Sequence, residues 1–171
     1  MDATVSDVFR LIETNDVPAL ETALIANSSF ANIENEQGIT SLGFATHLGN
    51  KQAAQLLLDF NADVNAVSHS KIDYIPSNTA LHAAIAGARD IEIIELLLKN
   101  NANPDIVDSN GYTVLHTAVF HDNNQEIVRL LIEHGATIDA KINDGKTAID
   151  IAKEQGNNQV AEQLQRYIEL A

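Results

Sequence analysis

Apolar residues return along this chain in paired amphipathic runs. The clearest pair lies between Asp108 and Ala140. Leu115, Ala118 and Val119 share one helical face, and His121-Asp122-Asn123-Asn124 interrupts that run. Gln125 to His134 then carries Ile127, Val128, Leu130, Leu131 and Ile132 on a broader apolar face. Ser109-Asn110-Gly111 is a turn signal, Thr113 stands at an N-cap position, and Gly135 stands where a C-cap glycine would. The pattern predicts a turn, a short helix, a second turn, a longer helix and an extended link.

The same grammar recurs. TALHAA begins at Thr79 and TVLHTA at Thr113, with weaker echoes in TSLGFA from Thr40 and TAIDIA from Thr147. Successive threonines are 39, 34 and 34 positions apart, a period that marks a repeat architecture. Ile93, Ile94, Leu96, Leu97 and Leu98 reproduce the second-helix face in the preceding unit, and Leu56, Leu57 and Leu58 do so one unit earlier. The last unit keeps the frame but turns polar at Gln159, Glu162, Gln163 and Gln165. The first segment has two helix-like stretches without the T-x-L-H phrase. Atypical, solvated ends are what a finite stack requires, since no unit can bury its face alone.

Composition narrows the function classes. A 171-residue chain with 45% hydrophobic residues suits one domain with a real core. Acidic residues number 24 against 10 basic, a net charge of −14. Such a surface disfavours nucleic acid and anionic membranes and is compatible with a basic protein partner. There is no cysteine, which removes disulfides and thiolate chemistry. No basic-then-apolar leader opens the chain, so a cytoplasmic protein is expected, although a leader already removed would leave no trace. No run approaches the ~20 apolar residues that span a bilayer.

Candidate chemistry is sparse. His116 and His121 are five apart, whereas two zinc-ligating histidines on one helix face are spaced four apart. Ser68-His69-Ser70 with Asp73 holds the letters of a catalytic triad on one loop, without a rigid partner or a recognisable oxyanion hole. No phosphate-cradling glycine loop is present. No catalytic residue, metal ligand or cofactor is therefore assigned, and an enzyme or metal protein is a remote alternative.

Gly111-Tyr112-Thr113-Val114-Leu115-His116-Thr117-Ala118, continued by Glu126-Ile127-Val128-Arg129-Leu130-Leu131, resembles the ankyrin repeat. The resemblance is strong from about residue 35 to 157. It implies an all-α helix-turn-helix solenoid with β-hairpin-like loops. The expected layout is a single domain over 1–171: an N-terminal cap at 1–34, full repeats at 35–67, 68–107 and 108–141, and a C-terminal cap at 142–171. It also implies that the recurring threonine caps each first helix and that His82 and His116 tie their turns to neighbouring backbone. Gly43 and Asp150 stand where those histidines would be.

In ankyrin-like proteins the hairpin tips and first helices form a concave binding surface. By position this implies Glu36, Gln37, Ile39, His47 and Leu48 in the first full repeat, and Asn78 with Ala86 in the second. The third contributes Ser109, Asn110, Tyr112, Phe120 and His121, and the last Asn143, Asp144 and Lys146. Tyr112 and Phe120 occupy positions the core does not need, as interface anchors often do. The interval from Thr40 to Thr79 is about six residues longer than a 33-residue repeat. The excess falls in VSHSKIDYIPSN, residues 67–78, which brings Lys71, Tyr74 and Ile75 into the candidate surface. A further one-residue excess falls at Ala88-Arg89-Asp90 and at Asp122-Asn123-Asn124, where it enlarges an inter-helix turn.

The expected function is a non-catalytic module that binds another protein, as an adaptor or regulatory subunit. The alternative is an acidic immunity or inhibitor protein that neutralises a basic toxin or enzyme, steered by charge. A self-assembling chain is disfavoured by the polar last helix. A slightly curved, elongated monomer with five helix pairs is expected.

Overall fold

The structure is a computed structural model that describes residues 3–88 and 90–171. Its described residues form ten α-helices in five consecutive pairs, with no strand. The pairs are α1 (Val5–Glu13) with α2 (Val17–Ala26), α3 (Ser41–Leu48) with α4 (Lys51–Asp59), and α5 (Ala80–Ala86) with α6 (Ile91–Lys99). They continue with α7 (Val114–His121) and α8 (Gln125–Glu133), then α9 (Ala148–Glu154) and α10 (Asn158–Leu170). The helix-turn-helix repeat read from the sequence is the observed fold. Residues up to Ala102 form one compact unit and Asn103–Ala171 a second.

The helices start where their caps require. The Thr40 hydroxyl accepts from the Gly43 N–H at 3.0 Å, and Thr79 accepts from the His82 N–H at 3.4 Å. Thr147 and Asp150 form a reciprocal capping box, in which the carboxylate accepts from the Thr147 N–H at 2.9 Å. Thr4 and Asp7 make the same box at α1, so the first segment begins like the others despite lacking the phrase. Asn15, Asn61 and Asn101 take positive φ just past helix ends, where Gly135 and Gly156 do the same elsewhere.

Each unit is closed by its own core. In the first, Leu57, Leu81, Ile93, Ile94 and Leu97 are fully buried. On α4, Ala53, Ala54 and Leu57 are buried, while Leu56 and Leu58 are only partly covered. In the second unit Leu115, Ile127 and Leu131 are fully buried. Each such side chain contributes about 1.5–3 kcal/mol relative to exposure. Polar side chains tie successive pairs within a unit: Asn50 donates to the Ile12 carbonyl at 2.7 Å and Asn157 to the Val119 carbonyl at 2.8 Å. The enlarged α7–α8 turn has such a role too, since the Asn123 side-chain Oδ1 accepts from the Val160 N–H at 3.1 Å. In the other enlarged turn, Arg89 lies outside the described residues.

Candidate protein-interaction surface

Three hairpins share one construction. The N–H groups of Asn35, Asp108 and Ile142 donate to the carbonyls of Ile39, Tyr112 and Lys146 at 2.9–3.0 Å. Gly38, Gly111 and Gly145 hold the same place in each, with φ of 76°, 82° and 84°. That left-handed conformation is why glycine recurs two residues before each capping threonine. Among the described residues, one isolated antiparallel bridge, Glu34 with Thr40, has ladder character.

The fourth hairpin is the enlarged one. Its feet are Ser68, whose N–H donates to the Asn78 carbonyl at 2.9 Å, and Asn78, whose N–H donates to the Ser68 hydroxyl at 3.0 Å. The intervening residues form a finger six residues longer than the other loops. Serines brace it inside: Ser77 Oγ accepts from the Ser70 N–H at 3.0 Å, and Ser70 Oγ from the Ile72 N–H at 3.3 Å. Of the triad letters, the Ser68 and Ser70 hydroxyls accept from loop backbone N–H groups, and the His69 ring meets Glu34.

The finger leans on the first hairpin. The His69 and Lys71 N–H groups donate to the Gly38 and Gln37 carbonyls at 3.0 and 2.9 Å. The His69 ring meets the Glu34 carboxylate at 2.8 Å, and the Lys71 ammonium donates to the Glu36 carbonyl at 3.1 Å. Ile72, Ile75 and Pro76 are half-buried, whereas Tyr74 at the tip is 86% exposed.

The other expected residues divide by role. In the first unit Glu36 and Gln37 are exposed at a hairpin tip, and Ile39, Asn78 and Ala86 are half-buried. Leu48 is exposed at the end of α3. His47 is exposed yet structurally engaged, its Nδ1 lying 3.3 Å from the Ala83 carbonyl oxygen. In the second unit Ser109, Asn110, Asn143 and Asp144 are exposed hairpin residues. Tyr112 is half-buried and tilted against His116 at 5.9 Å between ring centroids. Phe120 is 42% exposed and meets His121 edge-on at 5.2 Å. Lys146 is held by Glu154 at 3.0 Å and Asp144 at 3.5 Å, which raises its pKa, the Glu154 hydrogen bond leading.

His116 is a structural histidine. Its Nδ1 accepts from the Thr113 N–H at 3.3 Å and its hydroxyl at 2.8 Å, while Nε2–H donates to the Ala140 carbonyl at 3.1 Å. That set requires the neutral ring, and burial pushes its pKa below the ordinary value. Asp150 performs the N-terminal half of this job as a carboxylate, its pKa lowered by hydrogen bonds from Thr147.

The exposed apolar residues that sequence reasoning did not single out include Val67 at 38% and Val107 at 50%. Each directly precedes a hairpin foot, and aligning the units would have shown an apolar residue where neighbours carry Glu34 or Lys141. A shallow groove between α9 and α10, lined by Lys153, Asn158, Ala161, Glu162, Gln165 and Arg166, contains none of the expected residues.

A family model described as ankyrin repeats (three copies) matches residues 9–108 and 81–170. The chain belongs to the ankyrin-repeat family. It is 34% identical over 99 residues to the ankyrin repeat protein FPV014 of fowlpox virus (strain NVSL), covering 58% of this chain and 21% of that protein. It is 29% identical over 102 residues to the E3 ubiquitin-protein ligase hecd-1 of Caenorhabditis elegans, covering 60% of this chain and 4% of that one. The ankyrin-repeat chain thus corresponds to a small part of the curated relatives it matches. Ankyrin repeats are generally protein–protein interaction modules and typically non-catalytic. Among the described residues, no helix is long and apolar enough to cross a membrane.

Proposed function

We propose that this ankyrin-repeat chain binds a partner protein through its hairpin tips, its first-helix faces and the finger from Ser68 to Asn78. The observation that carries the reading is Tyr74, a large aromatic side chain 86% exposed on a loop that hydrogen bonds hold in place. Phe120 and Leu48, at 42% and 41%, are exposed near the ends of the first helices α7 and α3. Interfaces concentrate binding energy in a few such anchors, each worth about 2 kcal/mol or more. The net charge of −14 favours a basic partner, so the inhibitor variant stands as the second reading.

The test is affinity capture with wild type and a Tyr74→Ala/Tyr112→Ala/Phe120→Ala variant, at low and high salt. Circular dichroism establishes that the variant is folded. A stoichiometric partner retained by wild type alone supports the reading, and equal retention by both proteins removes it. A partner that is a basic toxin or enzyme, inactivated on binding, selects the inhibitor variant.

A further inference from the structure

The finger differs from an ordinary long loop in how it is supported. Its feet are joined like those of the short hairpins, and its serines satisfy internal N–H groups. Its outer flank is hydrogen-bonded to the carbonyls of Gln37 and Gly38. A stray surface tyrosine needs no explanation. A tyrosine lifted to 86% exposure on an arm braced from two sides has already lost much of the freedom that binding would otherwise remove. Tyrosine itself has few rotatable bonds, so it adds rigid contact area at low entropic cost.

The charges around the arm are lopsided. Asp73 precedes Tyr74 at the tip, and Glu34 and Glu36 stand at the hairpin on which the finger rests. The basic groups nearby are exposed but engaged with that hairpin, Lys71 donating to the Glu36 carbonyl and the His69 ring meeting Glu34. The exposed end therefore offers a phenol ring beside a carboxylate.

Resting on the protein-binding reading, we propose that the finger is a preorganised arm whose Tyr74 ring enters an apolar pocket of a partner protein rimmed by basic side chains. Gly38 acts as a positioning residue. Its Cβ-free backbone lets the His69 carbonyl approach, and an added Cβ would fall on that oxygen. Apolar burial of the ring supplies affinity, and attraction between the acidic tip and the basic rim supplies rate and orientation.

The experiment places the photo-crosslinking residue benzoylphenylalanine at position 74, and separately at 120, of the full chain in the cells that make it. Crosslinked segments are identified by mass spectrometry. The proposal predicts a crosslink from position 74 to an apolar segment flanked by Lys or Arg in another protein. Its yield should fall several-fold on raising salt, and also in a Gly38→Ala background shown by circular dichroism to be folded. Crosslinking at 120 but not 74 overturns the arm and leaves the binding-module reading standing; silence at both positions sinks the two together. A crosslink to a second copy of this chain, to an acidic segment, or one indifferent to salt or to Gly38→Ala also overturns it.

Discussion

Gly38, Gly111 and Gly145 occupy one position of one turn, with φ within a few degrees of each other, so replacing each by alanine compares three surroundings at constant backbone cost. An L-residue in this left-handed region costs about 1–2 kcal/mol. A Cβ at Gly145 meets nothing within 4 Å, so Gly145→Ala should destabilise by about that amount alone. At Gly111 the Cβ meets the Asn143 side chain at 3.1–3.3 Å, which an exposed side chain can relieve by moving. At Gly38 it falls on the His69 backbone, so the finger must separate from the hairpin. Losing the His69-to-Gly38 and Lys71-to-Gln37 hydrogen bonds adds about 1 kcal/mol each. Gly38→Ala should then cost about 3–4 kcal/mol. Urea unfolding of the three variants under identical conditions reads the difference, with tyrosine fluorescence and circular dichroism compared because repeat chains can depart from two-state behaviour. If Gly38→Ala and Gly145→Ala cost the same, the finger is not docked and the reasoning fails.

Three further outcomes are expected. The His116 pKa is lowered, so the unfolded chain takes up that proton first as pH falls. The stability from its neutral ring is complete above its ordinary value of 6.5 and is lost as pH drops through the folded value. Urea melts from pH 5 to 8 should therefore show the gap between wild type and His116→Gln narrowing on acidification; a widening gap contradicts the assigned tautomer. Asp150, also lowered, should contribute stability present above 3.8 and lost at lower pH, so Asp150→Asn should differ from wild type at pH 6 and converge with it near pH 2. Leu97→Ala, at a fully buried site in the first unit, should cost about 2–5 kcal/mol in the same denaturation assay, whereas Leu48→Ala should change stability by less than about 1 kcal/mol.

The repeat was legible because its signals are local. A capping threonine, an apolar face and a left-handed residue at the helix end each declare themselves within a few positions, and stacking makes them recur. The length of the enlarged loop was legible for the same reason, from the interval between Thr40 and Thr79. Its docking was not. Gly38 looks like every other hairpin glycine, and its special neighbour, His69, is brought in by backbone hydrogen bonds that carry no side-chain signature. His69 and Glu34 meet across 35 positions as ordinary polar residues. His47 shows the converse limit, since its place on α3 marks it as exposed while its ring is already committed to the Ala83 carbonyl. The exposure of Val67 and Val107 was not legible because extended links have no helical period to reveal it.

Hydrogen exchange on the captured complex is the most direct test of the binding surface, because it reports every backbone amide without assuming which side chains matter. The account predicts new protection on partner binding at residues 36–39, 69–77, 109–112 and 143–146, with the second helices α4, α6 and α8 unchanged. Protection confined to those second helices, with the hairpins and finger exchanging as in the free chain, would contradict it.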